Sequence, residues 1–150
     1  MYEAFECCDK CLEIDSDDAN LWNHKCWALY KLGRYDEALI NCVKSLDLNP
    51  ESSNAWNSKG MILGMLGEYE GALICFNKEL ELCSQRAGSW VDKGNILMKL
   101  GHIQEAIESY NKAMELYPKE EIWYLRNDLK DNNDYLVKDT ENVGYLLKGH

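Results

Sequence analysis

Apolar residues recur along the chain at intervals of three and four residues, with polar residues between them. In the middle of the sequence, Trp56, Gly60 and Leu63 lie at i, i+4 and i+7, so they share one face of a helix. Glycine adopts the left-handed conformation that ends a helix at low cost, so Gly67 separates this helix from the next. The next stripe consists of Tyr69, Ala72, Leu73, Phe76, Leu80 and Leu82. The pattern predicts two amphipathic helices joined by a tight turn.

This pair of helices recurs every 34 residues. The columns that keep the spacing are Trp22, Trp56 and Trp90; Lys25, Lys59 and Lys93; Gly33, Gly67 and Gly101; Ala38, Ala72 and Ala106; and Leu48, Leu82 and Leu116. Pro50 and Pro118 lie two periods apart and mark points where a helix cannot continue. Self-similarity at a fixed period is typical of a repeat protein, in which each unit buries its apolar face against its neighbours.

The repeat resembles the tetratricopeptide repeat (TPR), whose 34-residue pattern is W-x2-L-G-x2-Y followed by A-x3-F, A and P. The matching residues are Trp22, Gly33, Tyr35, Ala38, Leu46 and Pro50 in the first copy, Trp56, Gly60, Leu63, Gly67, Tyr69, Ala72, Phe76 and Leu80 in the second, and Trp90, Gly94, Leu97, Gly101, Ala106, Tyr110, Ala113 and Pro118 in the third. Lysine stands in the leucine column of all three copies. Cys26 replaces the first small residue and Cys42 the aromatic residue, while Ser45 and Glu79 replace the late alanine. The resemblance implies an all-α fold, a right-handed α-solenoid of helix-turn-helix repeats.

The period divides the chain into five segments. They are a second helix without its first at 1–18, full repeats at 19–52, 53–86 and 87–120, and a capping helix with a tail at 121–150. The first segment would leave apolar residues such as Phe5 without a partner helix, which forgoes about 1.5–3 kcal/mol of burial for each large side chain. We therefore expect a longer repeat array, with self-association through this end, unless residues 135–147 cover it.

The TPR resemblance also implies a binding surface, because the first helix of each pair lines the concave side in that family. The residues in the family's groove positions are Asn20, Asn23, Trp27, Tyr30 and Lys31; Asn54, Asn57, Met61, Gly64 and Met65; and Gly88, Val91, Asn95, Met98 and Lys99. Amides can both donate to and accept from a peptide backbone, and methionine adapts to irregular apolar side chains. This composition predicts a groove for a peptide segment of a partner protein. The alternative is that the asparagines and methionines are merely solvated or pack between neighbours.

One class of TPR protein grips the acidic C-terminal tails of chaperones with a clamp of lysine, asparagine and arginine side chains. The clamp positions hold Asn23, Trp27, Ser58, Gly88 and Asp92 in this chain. None of them fits the clamp, so we expect a neutral or mildly apolar peptide instead. Since few charges would then meet, the affinity should depend only weakly on salt.

The charge of the chain argues against several classes of partner. Aspartate and glutamate total 26 against 16 lysine and arginine, for a net charge of -10. An acidic excess of this size repels nucleic-acid phosphates and anionic membrane surfaces. No apolar run approaches the roughly 20 residues that span a bilayer, and the N-terminus does not resemble a signal peptide. We expect a cytoplasmic interaction module or scaffold.

Residues suited to catalysis are sparse, and the sequence predicts neither an enzyme nor a cofactor. His24, His102 and His150 are placed apart, and neither a nucleophile elbow nor a phosphate-binding glycine loop is present. The acidic run at 131–134 lacks the glycine and the bidentate glutamate of a calcium loop.

The seven cysteines allow two interpretations. Cys8 and Cys11 form a C-x-x-C pair to which Cys26 could add a third zinc ligand, but a fourth is hard to name. Alternatively Cys8, Cys11, Cys26 and Cys42 pack as small hydrophobic residues in repeat columns that want small or medium apolar side chains. We expect reduced, metal-free thiols. The rival functions are a thiol-based metal or redox protein, and a structural segment of a longer TPR array whose ligand site lies elsewhere.

Overall fold

A computed structural model of the chain describes residues 6–7, 9–10 and 17–117. These residues form helices and no strand, which confirms the prediction of an all-α fold. The complete helices are α1 (Ala19–Lys31), α2 (Tyr35–Leu48), α3 (Ser53–Met65), α4 (Tyr69–Leu82), α5 (Ala87–Lys99) and α6 (Ile103–Leu116). The predicted cap and tail at 121–150, and most of the predicted half repeat at 1–18, lie outside the described residues. Phe5, on which the expected self-association depends, lies outside them too.

Local signals in the repeat set the ends of the helices. At the start of α1, Oδ1 of Asp18 accepts the backbone N–H of Asn20 at 2.9 Å. At the start of α3, Oγ of Ser52 accepts the N–H of Ala55 at 3.3 Å. Each cap satisfies an amide that has no partner within the first turn. The glycines of the turns are Gly33, Gly67 and Gly101, with φ of 77°, 80° and 80°. The predicted turn between the two helices of each pair is therefore confirmed.

The helices group into two compact units, Met1–Ser84 and Gln85–His150. In the first unit, α1 packs on α2 and α3 packs on α4; α2 also contacts α3, and α1 contacts α3. In the second unit, α5 packs on α6. The two first helices of the first unit, α1 and α3, are therefore neighbours. Each also packs on the second helix that follows it in the sequence.

Two of the hairpins are closed by a glycine that faces an aromatic ring. A Cβ atom added to Gly60 would lie 2.8 Å from Cε1 of Phe76, and one added to Gly94 would lie 2.5 Å from Cε1 of Tyr110. Both distances are too short for any side chain, so only glycine lets the ring approach the backbone of the first helix. Phe76 and Tyr110 are correspondingly buried. This contact explains why the small-residue column and the aromatic column recur together.

The lysines that replace leucine in the repeat pattern lie near the tryptophans that recur every 34 residues. The Nζ atoms of Lys25, Lys59 and Lys93 lie 5.9, 5.5 and 5.3 Å from the ring centroid of the tryptophan three residues earlier. At this distance the ring face attracts the ammonium group. Trp56 makes a second interaction: its indole Nε1–H donates to the carbonyl of Pro50 at 2.8 Å. The lysine column is thus compatible with the fold because each ammonium group lies over the ring of a tryptophan.

The expectation that all the cysteines are free thiols is wrong at Cys26 and Cys42. The structure joins them by a disulfide between α1 and α2, with Cα atoms 5.6 Å apart, which is a distance that disulfide geometry allows. They occupy the columns of the glycine and the aromatic ring in the other hairpins, so the close approach of the helices brings their sulfurs together. Among the described residues, the free cysteines are Cys7, Cys75 and Cys83. Burial raises the pKa of the Cys75 thiol, which the nearby Lys59 only partly offsets.

Candidate functional site

The first unit brings two of the three sets of sequence-predicted groove residues onto neighbouring helices, because α1 contacts α3. The exposed members are Asn20, Lys31, Asn54 and Met65, the half-buried members are Trp27, Tyr30, Asn57, Met61 and Gly64, and the buried member is Asn23. The surface is therefore a mixture of amide, aromatic and thioether groups. We call this set of residues, without the buried Asn23, the α1–α3 surface.

The third set lies on α5, in the second unit. Asn95, Lys99 and Gly88 are exposed, and Val91 and Met98 are half-buried. The phenol of Tyr110, on α6, donates to Oδ1 of Asn95 at 2.6 Å. This bond orients the amide of Asn95, so that its oxygen faces Tyr110 and its N–H groups point away from Tyr110.

Aromatic side chains form a cluster at the C-terminal half of α1. The rings of Trp27 and Tyr30 meet edge to face with centroids 5.2 Å apart, and Tyr30 is tilted against Tyr35 at 5.6 Å. Nζ of Lys31 lies 5.3 Å from the centroid of Trp27 and 5.8 Å from that of Tyr30. Such a cluster combines apolar area with one positive charge. It can receive an apolar or aromatic side chain of a ligand.

The amide of Asn57 is held by a buried carboxylate that no sequence pattern placed near the groove. Nδ2 of Asn57 donates to Oε2 of Glu79, on α4, at 3.0 Å, and Glu79 is completely buried. A buried carboxylate therefore lies next to the predicted groove position at Asn57. The signal in the sequence was a charged residue in a column that holds Ser45 and Ala113 in the other copies. One N–H of Asn57 is thus used within the protein.

Asn23 differs from the other amides because it lies beneath the surface. It is only 7% exposed, and its Oδ1 has no hydrogen-bond partner among the residues that the structure describes. Its register on α1 gave no sign of this burial, since the sequence does not show which neighbouring side chains cover a helix face. Asn23 is therefore not open to a ligand in this conformation.

The second helices carry a different kind of surface. Apart from the buried Glu79, they carry exposed acidic residues, among them Asp36, Glu37, Glu70, Glu105 and Glu108, and Glu68 in a turn is exposed too. The apolar Ile40 and Ile74 are exposed there too, at 62% and 66%. In the second unit, a depression of about 470 Å³ between α5 and α6 is lined by Trp90, Lys93, Glu105, Glu108, Ser109, Asn111, Lys112 and Glu115. No pattern in the sequence indicates this depression.

The described part of the chain contains no group of three histidine, cysteine, aspartate or glutamate side chains placed to hold a metal ion. Of the candidate zinc ligands, Cys8 and Cys11 lie outside the described residues, and Cys26 is bonded to Cys42. Within residues 17–117 and the short helical segment before them, no helix is long and apolar enough to cross a membrane.

Several solved structures have a similar fold. One is a crystal structure of MamA, with a TM-score of 0.71 and 19% identity over 79% of this chain and 65% of that chain. Another is YrrB, a TPR protein with an unusual peptide-binding site, with a TM-score of 0.72 and 23% identity over 77% of this chain and 59% of YrrB. A third is the first TPR of Spaghetti (RPAP3) bound to the HSP90 peptide SRMEEVD, with a TM-score of 0.67 and 21% identity over 89% of this chain and 96% of that chain. The chain thus spans less than two thirds of the first two structures.

No curated protein matches the chain significantly by sequence. Family models do match it. A model described as tetratricopeptide repeat matches residues 19–52 and 87–120, and a second model of that description matches residues 41–74. Residues 1–32 match a model described as protein prenyltransferase alpha subunit repeat. With the repeated hairpins and the similar solved structures, these matches show that the chain belongs to the tetratricopeptide repeat family and has its all-α helical-repeat solenoid fold.

Proposed function

We propose that the chain binds a peptide segment of a partner protein on the α1–α3 surface. The observation that carries the proposal is that apolar and aromatic side chains on these two neighbouring first helices are exposed or half-buried. Met65 is 55% exposed, and the rings of Trp27 and Tyr30 pack against each other and are half-buried. Large, preorganised aromatic side chains are typical of the centres of protein interfaces. Exposed amides beside them can pair with a peptide backbone.

The similar structures support the class of function. YrrB is described as having a peptide-binding site, and the RPAP3 repeat as bound to an HSP90 peptide. These likenesses concern the fold, so the ligand of this chain is inferred from its own residues. A net charge of -10 favours a protein partner over nucleic acid or an anionic membrane. Our proposal places this interaction in the cytoplasm and includes neither catalysis nor a cofactor.

The chemistry of the surface favours a neutral or apolar peptide over an acidic tail. Of the residues at the positions of the chaperone-tail clamp, Asn23 and Ser58 are buried. The hydroxyl of Ser58 donates to the carbonyl of Asn54 at 3.0 Å, within its own helix. Lys31 is the exposed cation of the α1–α3 surface, and it lies over the rings of Trp27 and Tyr30. A ligand with several carboxylates would find few compensating charges here.

A peptide-display selection tests the proposal. The wild-type chain is used to select peptides from a random library, and the recovered peptides are then measured against two variants by isothermal titration. Met65→Ala removes exposed apolar area from the α1–α3 surface and should weaken binding about tenfold, the effect of losing about 1.4 kcal/mol at an interface. Ile74→Ala is the matched control, because Ile74 is comparably exposed but lies on α4, a second helix.

The control should bind as the wild type does, and circular dichroism should show both variants folded. If selection recovers no peptide, or if both variants bind recovered peptides with wild-type affinity, the α1–α3 surface is not the ligand site. The second candidate function, a structural segment of a longer array, would then be favoured. Weaker binding by Ile74→Ala alone would move the site to the second helices.

A further inference from the structure

The first hairpin is closed differently from the other two. In the second and third hairpins a glycine of the first helix receives an aromatic ring of the second, as Gly60 receives Phe76. In the first hairpin both members of this contact are replaced together, the glycine by Cys26 and the ring by Cys42. One cysteine alone would leave either a clash with a ring or a cavity beside a glycine. The joint replacement restores a matched contact, now between two sulfur atoms.

Both sulfur-bearing residues of this pair are buried in an apolar cluster. Both cysteines are 0% exposed, and they belong to one core cluster with Leu29, Ala38 and Ile62. Their Cα atoms are 5.6 Å apart, close to the most common value for disulfides. The other buried members of the cluster are aliphatic, and Tyr30, Tyr35 and Leu39 pack against it, so the pair can exist either as two packed thiols or as a bond between them.

We propose that Cys26 and Cys42 form a reversible redox staple, which fixes the first hairpin when oxidised and loosens it when reduced. The bond joins α1 to α2 across 16 residues of chain, so oxidation restricts the unfolded hairpin and stabilises the folded one. In the other hairpins this contact is a ring on a glycine and does not respond to redox conditions. The proposal concerns the stability of the first hairpin, and it holds whether or not the α1–α3 surface binds a peptide.

The reaction balances with a glutathione disulfide as the oxidant. The thiolate of one cysteine attacks the S–S bond of glutathione disulfide, which forms a mixed disulfide and releases one glutathione thiolate. The thiolate of the other cysteine then attacks the protein sulfur of the mixed disulfide, which forms the Cys26–Cys42 bond and releases the second glutathione thiolate. The two departing thiolates take up the two protons that the cysteines lost. Two electrons have passed from the cysteine pair to the oxidant, and an excess of dithiol reverses both steps.

Burial controls the rate of this exchange. Because neither sulfur is accessible in the folded hairpin, an attacking thiol reaches the bond only when α1 opens from α2. The staple is therefore slow to respond while the hairpin is closed, and faster under conditions that favour local opening. In a compartment buffered by thiols, the oxidised form would be the transient one.

Thermal unfolding of the whole chain tests the staple. The chain is equilibrated with glutathione disulfide or with an excess of dithiothreitol, and unfolding is followed by circular dichroism. The oxidised chain should unfold at a midpoint about 5–10 °C higher than the reduced chain, as expected when a loop of this length is closed. Digestion without reductant should yield one linked peptide pair that contains Cys26 and Cys42.

Two variants make the result specific. Cys83→Ser removes another thiol and should keep the full shift of the midpoint. The double variant Cys26→Gly with Cys42→Phe installs the contact of the second hairpin, so it should fold and show no shift between the two conditions. Equal midpoints for the oxidised and reduced wild type would overturn the proposal. So would a shift that persists in the double variant, or a bond mapped to other cysteines.

Discussion

At the scale of single residues, the second and third hairpins depend on a glycine at one crossing point. In α5 that glycine is Gly94, which lies against the ring of the buried Tyr110. The same helix carries Gly88 near its start, where an added Cβ would meet no atom within 4 Å. The two glycines therefore separate the effect of packing from the effect of helix propensity.

We predict that Gly94→Ala destabilises the chain and that Gly88→Ala does not. The new methyl group at residue 94 would overlap the ring of Tyr110, at a cost of about 1–3 kcal/mol, which exceeds the gain in helix propensity of up to about 1 kcal/mol. At residue 88 only the gain applies, so that variant should be neutral or slightly more stable. Urea unfolding of both variants measures the difference. Equal stability of the two would mean that the helices do not cross as closely as the structure shows.

At the scale of the helix pair, α5 and α6 are joined by a hydrogen bond as well as by packing. The Tyr110 phenol is buried and donates to Oδ1 of Asn95. Burial raises the pKa of this phenol well above its ordinary value of about 10. The second hairpin has Phe76 in the same column and lacks this titratable group. The contact between α5 and α6 should therefore be sensitive to alkaline pH.

The sign of the pH dependence follows from proton binding. Above about pH 10 the unfolded chain loses the proton of residue 110 while the folded chain keeps it, so stability falls as pH rises. Below this pH the contribution of the neutral phenol is complete. The loss between about pH 8 and about pH 11 should be larger in the wild type than in Tyr110→Phe, by about 1–1.5 kcal/mol.

Urea unfolding at the two pH values measures this difference. The variant also lacks the bond to Asn95, which lowers its stability at pH 8 by about 1 kcal/mol without affecting the comparison between pH values. Parallel losses in the two proteins would show that the phenol titrates as it does in the unfolded chain.

At the scale of the whole molecule, charge is distributed unevenly between first and second helices. The exposed acidic residues Glu37, Glu70 and Glu105 belong to second helices. The exposed charged members of the groove sets, Lys31 and Lys99, are positive. Among the six helices, the acidic residues therefore lie mainly on second helices, whereas the surface proposed for the ligand lies on first helices.

We predict that peptides selected by the chain bind with little dependence on salt. Their contacts with the α1–α3 surface would be mostly apolar or between neutral amides, which salt does not screen. Raising sodium chloride from about 50 to about 300 mM should change the dissociation constant by less than about threefold. Titration calorimetry of a recovered peptide gives this value directly. A loss of affinity of about tenfold or more would point to ion pairs as the main contacts.

The sequence by itself determined the helices and their repetition. Helix ends depend on local features: the left-handed turn at Gly67 is found where the pattern predicts it, and the structure adds the cap at Ser52. The 34-residue period identified the family because the same local rules apply in each copy. It also predicted which residues lie on first helices, and the α1–α3 surface consists of residues chosen in this way. These properties need no knowledge of distant contacts, because each residue in a helix is positioned by its near neighbours.

Only the tertiary structure decided which side chains meet across a hairpin. The Cys26–Cys42 bond joins residues 16 apart, and the Asn57–Glu79 bond joins residues 22 apart. The burial of Asn23 likewise depends on the elements packed around α1. A helical pattern gives the direction of a side chain around its own axis, but the distance to a partner depends on how closely two helices approach. That approach is set by the packed volume of both faces together, which no single stretch of sequence contains.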